Sequence, residues 1–153
     1  MRYSIVRLLL TLVLFLSYIL LPQYSFPGGG FVGHLLYPLS HANIWHLLAN
    51  VLCLWLVRCD LHLLTCWLLS VLCSYIPSLT SEATMGFSGI LFATVGMSWG
   101  MTGRFVEMLK KNKWFLIIPF AVPHVNAFIH IYCMLSGWLV GYNCRCKSFP
   151  ELL

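Results

Sequence analysis

Six apolar runs, at residues 3–21, 41–57, 61–76, 87–102, 114–122 and 125–142, fill most of this chain and leave it almost no polar face. Any fold must find cover for all of them. Hydrophobic types make up 60% of the 153 residues and charged types only 8%, whereas soluble chains carry about 25% charged residues. A water-soluble domain could not clothe itself with so few polar groups, so the expected solvent is lipid. Within a bilayer every backbone N–H and C=O must be paired inside the protein, which leaves helices or closed barrels. The apolar runs show no strand-like alternation. The expected fold is an all-α membrane protein, a single transmembrane domain over residues 1–153.

Most runs hold 16 to 19 residues, near the lower limit for crossing a hydrocarbon core of about 30 Å. The links between them carry the topological signal. Nine basic residues (Arg2, Arg7, Arg58, Arg104, Lys110, Lys111, Lys113, Arg145 and Lys147) lie in short clusters at the two ends of the chain and in the links between apolar stretches. With six crossings all nine fall on one side, so the positive-inside rule places both termini in the cytoplasm, with the plasma (inner) membrane as the expected location. Clusters of this kind do not indicate nucleic acid. Arg2 and Arg7 ahead of the apolar stretch Leu8–Leu21 have the form of a signal peptide. Pro22, Gln23 and Tyr24 follow with no small-x-small cleavage site, and the stretch is read as a retained first span. Residues 22–40, rich in Pro, Gly and aromatics and free of Lys and Arg, read as a loop in the membrane interface.

The fifth run strains this scheme. Only 31 residues separate Lys113 from Arg145, yet two crossings at roughly 20 residues each would need about 40. Residues 114–122 are therefore expected to form a short or re-entrant helix, or to sit where the bilayer thins.

Polar residues inside apolar helices are expensive and point to function. The second run opens with His41 and carries His46 and Asn50, four apart on one helical face. The fourth opens Gly86-Phe87-Ser88-Gly89, and the sixth contains His130. At 1.5 Å per residue, Ser88 sits roughly 24 Å above Arg104 and His130 roughly 22 Å above Arg145. The two side chains are thus expected at one depth. Small residues at Gly89, Ala93, Gly96 and Gly100 form one stripe and Cys133, Gly137 and Gly141 another, and such stripes let membrane helices approach closely. Contact along them would bring Ser88 Oγ to His130. A serine hydrolase needs a nucleophile, a base and donors aimed at the oxyanion. Ser88, His130, and His46 with Asn50 and the Ser88 N–H fit these roles, as a dyad with no carboxylate.

The three motifs together resemble the rhomboid intramembrane proteases. His41, His46 and Asn50 match the family's stretch on the second helix; Gly86, Ser88, Gly89 and Ala93 match the opening of the fourth. His130 with Cys133 and Gly137 matches the sixth. The resemblance covers nearly the whole chain, as a rhomboid-like bundle of six helices without extra domains. It implies Ser88 as nucleophile, His130 as general base, His46 and Asn50 in the oxyanion hole and His41 in support. Gly86, Gly89 and Gly137 would be supporting glycines. The implied substrates are single-span transmembrane proteins cut near the outer surface of the lipid bilayer, with no metal or organic cofactor. Three features depart from the family: Cys133 stands where Gly is usual, the first loop lacks a Trp-Arg pair, and the fifth helix is stunted.

The other readings are blander. A catalytically silent rhomboid-like protein that escorts transmembrane helices would keep the fold, but typically without the Ser or the sixth-helix His. A channel or small transporter would string polar groups along a path, whereas these converge at one depth. A metal site at the histidines is disfavoured, because His41 and His46 are five apart and no carboxylate or cysteine joins them. His34 and His124 are expected in outer loops and His62 near the inner interface, none with a direct role. The seven cysteines contain no Cys-x-x-Cys pair and read as packing residues, Cys144 and Cys146 on the reducing side.

Overall fold

A computed structural model describes residues 2–57, 62–76, 83–121 and 125–148. Arg58, Cys59, Glu82 and His124 lie outside the described residues, as do the side chains of Arg2, Cys146 and Lys147. The fold is all-α: α1 (Arg2–Leu20), α2 (Gly30–Leu36), α3 (Ile44–Leu56), α4 (Leu63–Ser74), α5 (Ser88–Thr102), α6 (Phe105–Lys111), α7 (Lys113–Ala121) and α8 (Ala127–Ser148). The single β feature among the described residues is an isolated antiparallel bridge between Phe26 and Thr84.

Six of these helices coincide with the six apolar runs. The other two occupy links between the runs, the first of them expected as a loop. Residues 22–40 hold α2 and a 3-10 turn, Tyr37–Leu39. The segment winds into a helix because it has something to bury: Gly33 and His34 turn inward while Phe31 stays 70% exposed. His34 is therefore not a free loop residue. Its Nδ1 lies 2.7 Å from Ser74 Oγ, and its ring stacks on Tyr75 and Phe26. Helix α6 occupies the link after α5 and buries none of its residues.

The second run starts its helix late for a local reason. Asn43 caps α3, its side chain accepting the His46 N–H at 2.9 Å, the bond that an N-cap residue supplies. His41 is thereby left in the extended approach to the helix. The fifth run gives α7, nine residues with Pro119 inside it, about 14 Å long. The last helix continues to Ser148, beyond the apolar run, since Cys144-Arg145-Cys146-Lys147 offers no breaker.

Helices α5 and α8 form the central pair. A Cβ at Gly137 would run into the Ala93 backbone, one at Gly141 into Met97, one at Gly96 into Met134 and one at Gly100 into Trp138. The two backbones touch at these four glycines over about two helical turns, an approach that any larger residue would prevent. Helix α4 packs on both. It is built inside out relative to a soluble helix: Cys66, Ser70, Cys73 and Ser74 face inward, while Leu64, Leu68 and Leu72 are 72%, 52% and 67% exposed. Helix α1 leans on α3 through Leu14 and a bond from Trp55 Nε1 to Thr11 Oγ1 at 3.1 Å.

The bundle has two distinct ends. At one, a cavity of about 350 Å³ lies among Cys53, Val57, Val95, Trp99, Met108 and Asn112, bringing the C-termini of α3 and α5 to α6. Arg7 donates there to the Trp55 and Val57 carbonyl oxygens at 3.3 and 2.9 Å, and Arg145 packs over Gly103. Arg104, Lys110 and Lys111 belong to the same end. Among the described residues no single helix is long and apolar enough to cross a membrane. The bent pair Gly30–Leu39 and Ile44–Leu56, 65° apart, passes that test together by length and composition.

Candidate active site

The opposite end holds the polar groups singled out from the sequence. Ser88 is the first residue of α5 and is half-buried. It is delivered by a tight turn. Gly86 has φ +121, a conformation that side-chain-bearing residues avoid, and its N–H donates to the Tyr37 carbonyl at 2.9 Å. Phe87, fully buried, then anchors the helix start, its carbonyl accepting from Ile90 and Leu91 at 3.1 and 3.3 Å. No side chain caps this terminus. The Ser88 N–H belongs to the first turn, whose donors have no intrahelical acceptor.

His130 lies at the start of α8, 5% exposed, with Nε2 2.8 Å from Ser88 Oγ. Its other ring nitrogen, Nδ1, is 2.9 Å from the Asn126 carbonyl. A carbonyl oxygen can only accept, so in the neutral ring Nδ1 carries the hydrogen and Nε2 presents its lone pair to the serine hydroxyl. That is the tautomer a general base requires. The Phe92 ring, one turn below Ser88, meets His130 edge-to-face at 4.6 Å and limits its rotation. Among the described residues the one carboxylate is Glu107, at the far end of the bundle. There it pairs with Arg104, whose hydrogen bond holds the Glu107 carboxyl below its usual range.

The second-helix groups close on the turn before Ser88. A Cβ at Gly86 would stand 2.7 Å from His46 Cε1, 2.8 Å from its Nε2 and 3.7 Å from Asn50 Nδ2. Asn50, 4% exposed, donates through Nδ2 to the His46 carbonyl at 3.0 Å. The amide carries two hydrogens, so this bond fixes its orientation and leaves a second donor. His41 is fully buried with its ring edge-on to His46 at 5.2 Å. Neither of its ring nitrogens has a well-formed hydrogen bond, the Leu39 backbone being the polar group beside it. Its own carbonyl accepts from Gln23 Nε2 at 3.1 Å. His41 thus packs against His46.

The glycines act through space. Beside Gly89, a Cβ would come within 2.6 Å of Ser70 Oγ and 3.0 Å of Tyr37 OH, which are themselves hydrogen-bonded. Gly137 sits against Ala93, one helix turn beyond Gly89 along the α5–α8 seam. Asn126, Thr84, Phe92 and Tyr37 were not legible as site residues in the sequence. Only the four-residue spacing of Asn126 from His130 offered a clue. Among the described residues no group of three or more His, Cys, Asp or Glu converges as metal ligands would.

Comparison with known proteins adds no relative: no family model, curated protein or solved structure matches the chain. The site stands on its own geometry. It offers a hydroxyl in contact with an imidazole of fixed tautomer, uncapped backbone N–H groups at a helix start and two side-chain donors nearby. Such a set can attack a carbonyl and stabilise the resulting oxyanion.

Proposed function

We propose that this chain is a rhomboid-like intramembrane serine endopeptidase that cleaves single-span membrane proteins by a Ser88–His130 dyad. The observation that carries the reading is the 2.8 Å contact between Ser88 Oγ and His130 Nε2, with the Nδ1 hydrogen already committed to Asn126. Ser88 Oγ attacks the scissile carbonyl and passes its proton to His130 Nε2. The Ser88 N–H, His46 and Asn50 stabilise the oxyanion, and His130 returns the proton to the leaving amine. Water, activated by the same imidazole, then releases the acyl group from Ser88.

The bilayer half of the reading is supported by surface chemistry. The exposed ridge Leu64–Leu68–Leu72 over a core of Cys and Ser is what lipid solvation favours and water opposes. Leu8, Leu12, Leu16 and Ile19 on α1, and Leu135 and Leu139 on α8, are exposed as well. Helices as short as α4 and α5, about 18 and 22 Å, would sit in a locally thinned membrane.

The test is labelling of the detergent-purified protein with a fluorophosphonate, beside Ser88→Ala and His130→Ala. The proposal expects labelling of the parent protein and loss in both variants. An unlabelled but folded parent would move the reading to the silent helix-escorting protein. Cleavage of a model transmembrane substrate by Ser88→Ala would end it outright.

A further inference from the structure

The nucleophile and the base are registered against one short segment, residues 84–88. The Asn126 carbonyl orients His130 through Nδ1 at 2.9 Å. The side chain of the same Asn126 does two further things. Its Oδ1 meets the Ile129 N–H at 3.4 Å, as an N-cap for α8, and its Nδ2 donates to Thr84 Oγ1 at 2.9 Å. Four residues on from Thr84 is Ser88. The contacts therefore close a ring, running from Thr84 along the chain to Ser88, to His130, to Asn126 and back to Thr84. Thr84 is 8% exposed and held by backbone bonds in both directions to Phe26, at 2.9 and 3.2 Å. Phe26 is itself fully buried against Tyr37 and His34.

We propose that Thr84 and Asn126 are positioning residues that set the height and tautomer of His130 against Ser88. They do the work that a carboxylate does in a triad. The inference rests on the protease reading for its catalytic consequence, but the geometry it assigns to His130 does not depend on that reading. The α5–α8 seam holds the two helices against each other as bodies. The Thr84–Asn126 bond adds a local tie, joining the start of α8 to the residues that present the serine. Near-attack geometry is sensitive at this scale, with about 1 Å of displacement costing up to 10²-fold in rate.

The experiment pairs two substitutions chosen to leave the packing in place. Thr84→Val is isosteric and keeps the Phe26 bridge while deleting the hydroxyl; Thr84→Ser restores it. Asn126→Ser keeps a capping oxygen for Ile129 and is too short to reach Thr84. Two readouts are taken: the rate of fluorophosphonate labelling, and the histidine 15N spectrum, in which His130→Ala identifies the His130 signals. Thr84→Val and Asn126→Ser are each expected to slow labelling by between about tenfold and 10²-fold. Any KM for a model substrate should stay within about twofold, and His130 should change from one Nδ1-protonated tautomer to a mixture. Thr84→Ser should recover parental behaviour. The double variant should be no worse than either single, since both break one bond. Parental labelling and an unchanged spectrum in Thr84→Val would overturn the inference, as would losses that add in the double variant. If the parent protein does not label, the protease reading fails and the tautomer spectrum alone decides this one.

Discussion

Gly86 lies against the imidazole of His46: a Cβ built on it would be 2.7 Å from Cε1 and 2.8 Å from Nε2. The glycine is thus required twice, by its φ of +121 and by the ring it faces. Gly86→Ala should cost on the order of 1–3 kcal/mol from backbone strain alone. It should also push His46 away from the turn that presents Ser88. The expected result is a protein that still folds in detergent, with a lowered unfolding temperature and slowed fluorophosphonate labelling. Parental labelling would mean that the His46 ring has no part in activating or stabilising at Ser88.

The donors on α3 come next. Asn50 is fixed by its bond to the His46 backbone carbonyl, and both side chains face the Gly86 turn. His46→Ala and Asn50→Ala should each slow turnover of a model substrate by up to the 10²–10³-fold typical of a lost oxyanion donor. Substrate binding should change little, because these groups act on charge that develops in the transition state. Steady-state kinetics separating kcat from KM are the check, and a pure KM effect would assign them to substrate binding instead.

Much of this arrangement is written in residue spacing. The stripe Gly89, Ala93, Gly96, Gly100 and its partner Cys133, Gly137, Gly141 repeat every three or four residues. That spacing is enough to infer the α5–α8 contact and the meeting of Ser88 with His130. The second-run motif likewise announces His46 and Asn50, since one helical turn separates them. What spacing does not carry is contact between isolated polar residues on different segments. Thr84 and Asn126 are 42 positions apart and neither belongs to a periodic pattern. His34 and Ser74 are hidden for the same reason. Helix α2 escapes because seven residues with a glycine at Gly30 and Gly33 give too short a pattern to distinguish from a loop. Asn43 is the instructive case. As an ordinary N-cap it was readable, and reading it would have placed His41 off the helix.

The α5–α8 seam makes a prediction about stability rather than chemistry. Gly137 abuts the Ala93 backbone, which cannot rotate away as a side chain could. Gly137→Leu should therefore destabilise by at least the 1–3 kcal/mol usual for overpacking, about the cost of forcing the helices apart. Because His130 and Ser88 sit on the two separated helices, labelling should fall with it. Gly28→Ala is the control, since open space surrounds that position, and it should stay within about 0.5 kcal/mol. Unfolding of both variants in mixed micelles compares them directly.

The last prediction concerns sidedness. Arg7 reaches the carbonyl oxygens at the end of α3, Arg145 covers the end of α5 at Gly103, and α6 brings Lys110 and Lys111 to the same end. The dyad sits at the other. If the bundle lies in a bilayer, the positive-inside rule orients this basic end toward the cytoplasm. A reporter inserted between Lys111 and Asn112 and one fused after Leu153 should then read as cytoplasmic, and one inserted at Gly28 as external. Reversing the charges at Arg7, Lys110 and Lys111 together should weaken or invert that assignment, because the orienting signal is the Lys and Arg bias itself. A Gly28 reporter on the same side as the other two would remove the six-crossing arrangement, and with it the placement of Ser88 near the outer surface.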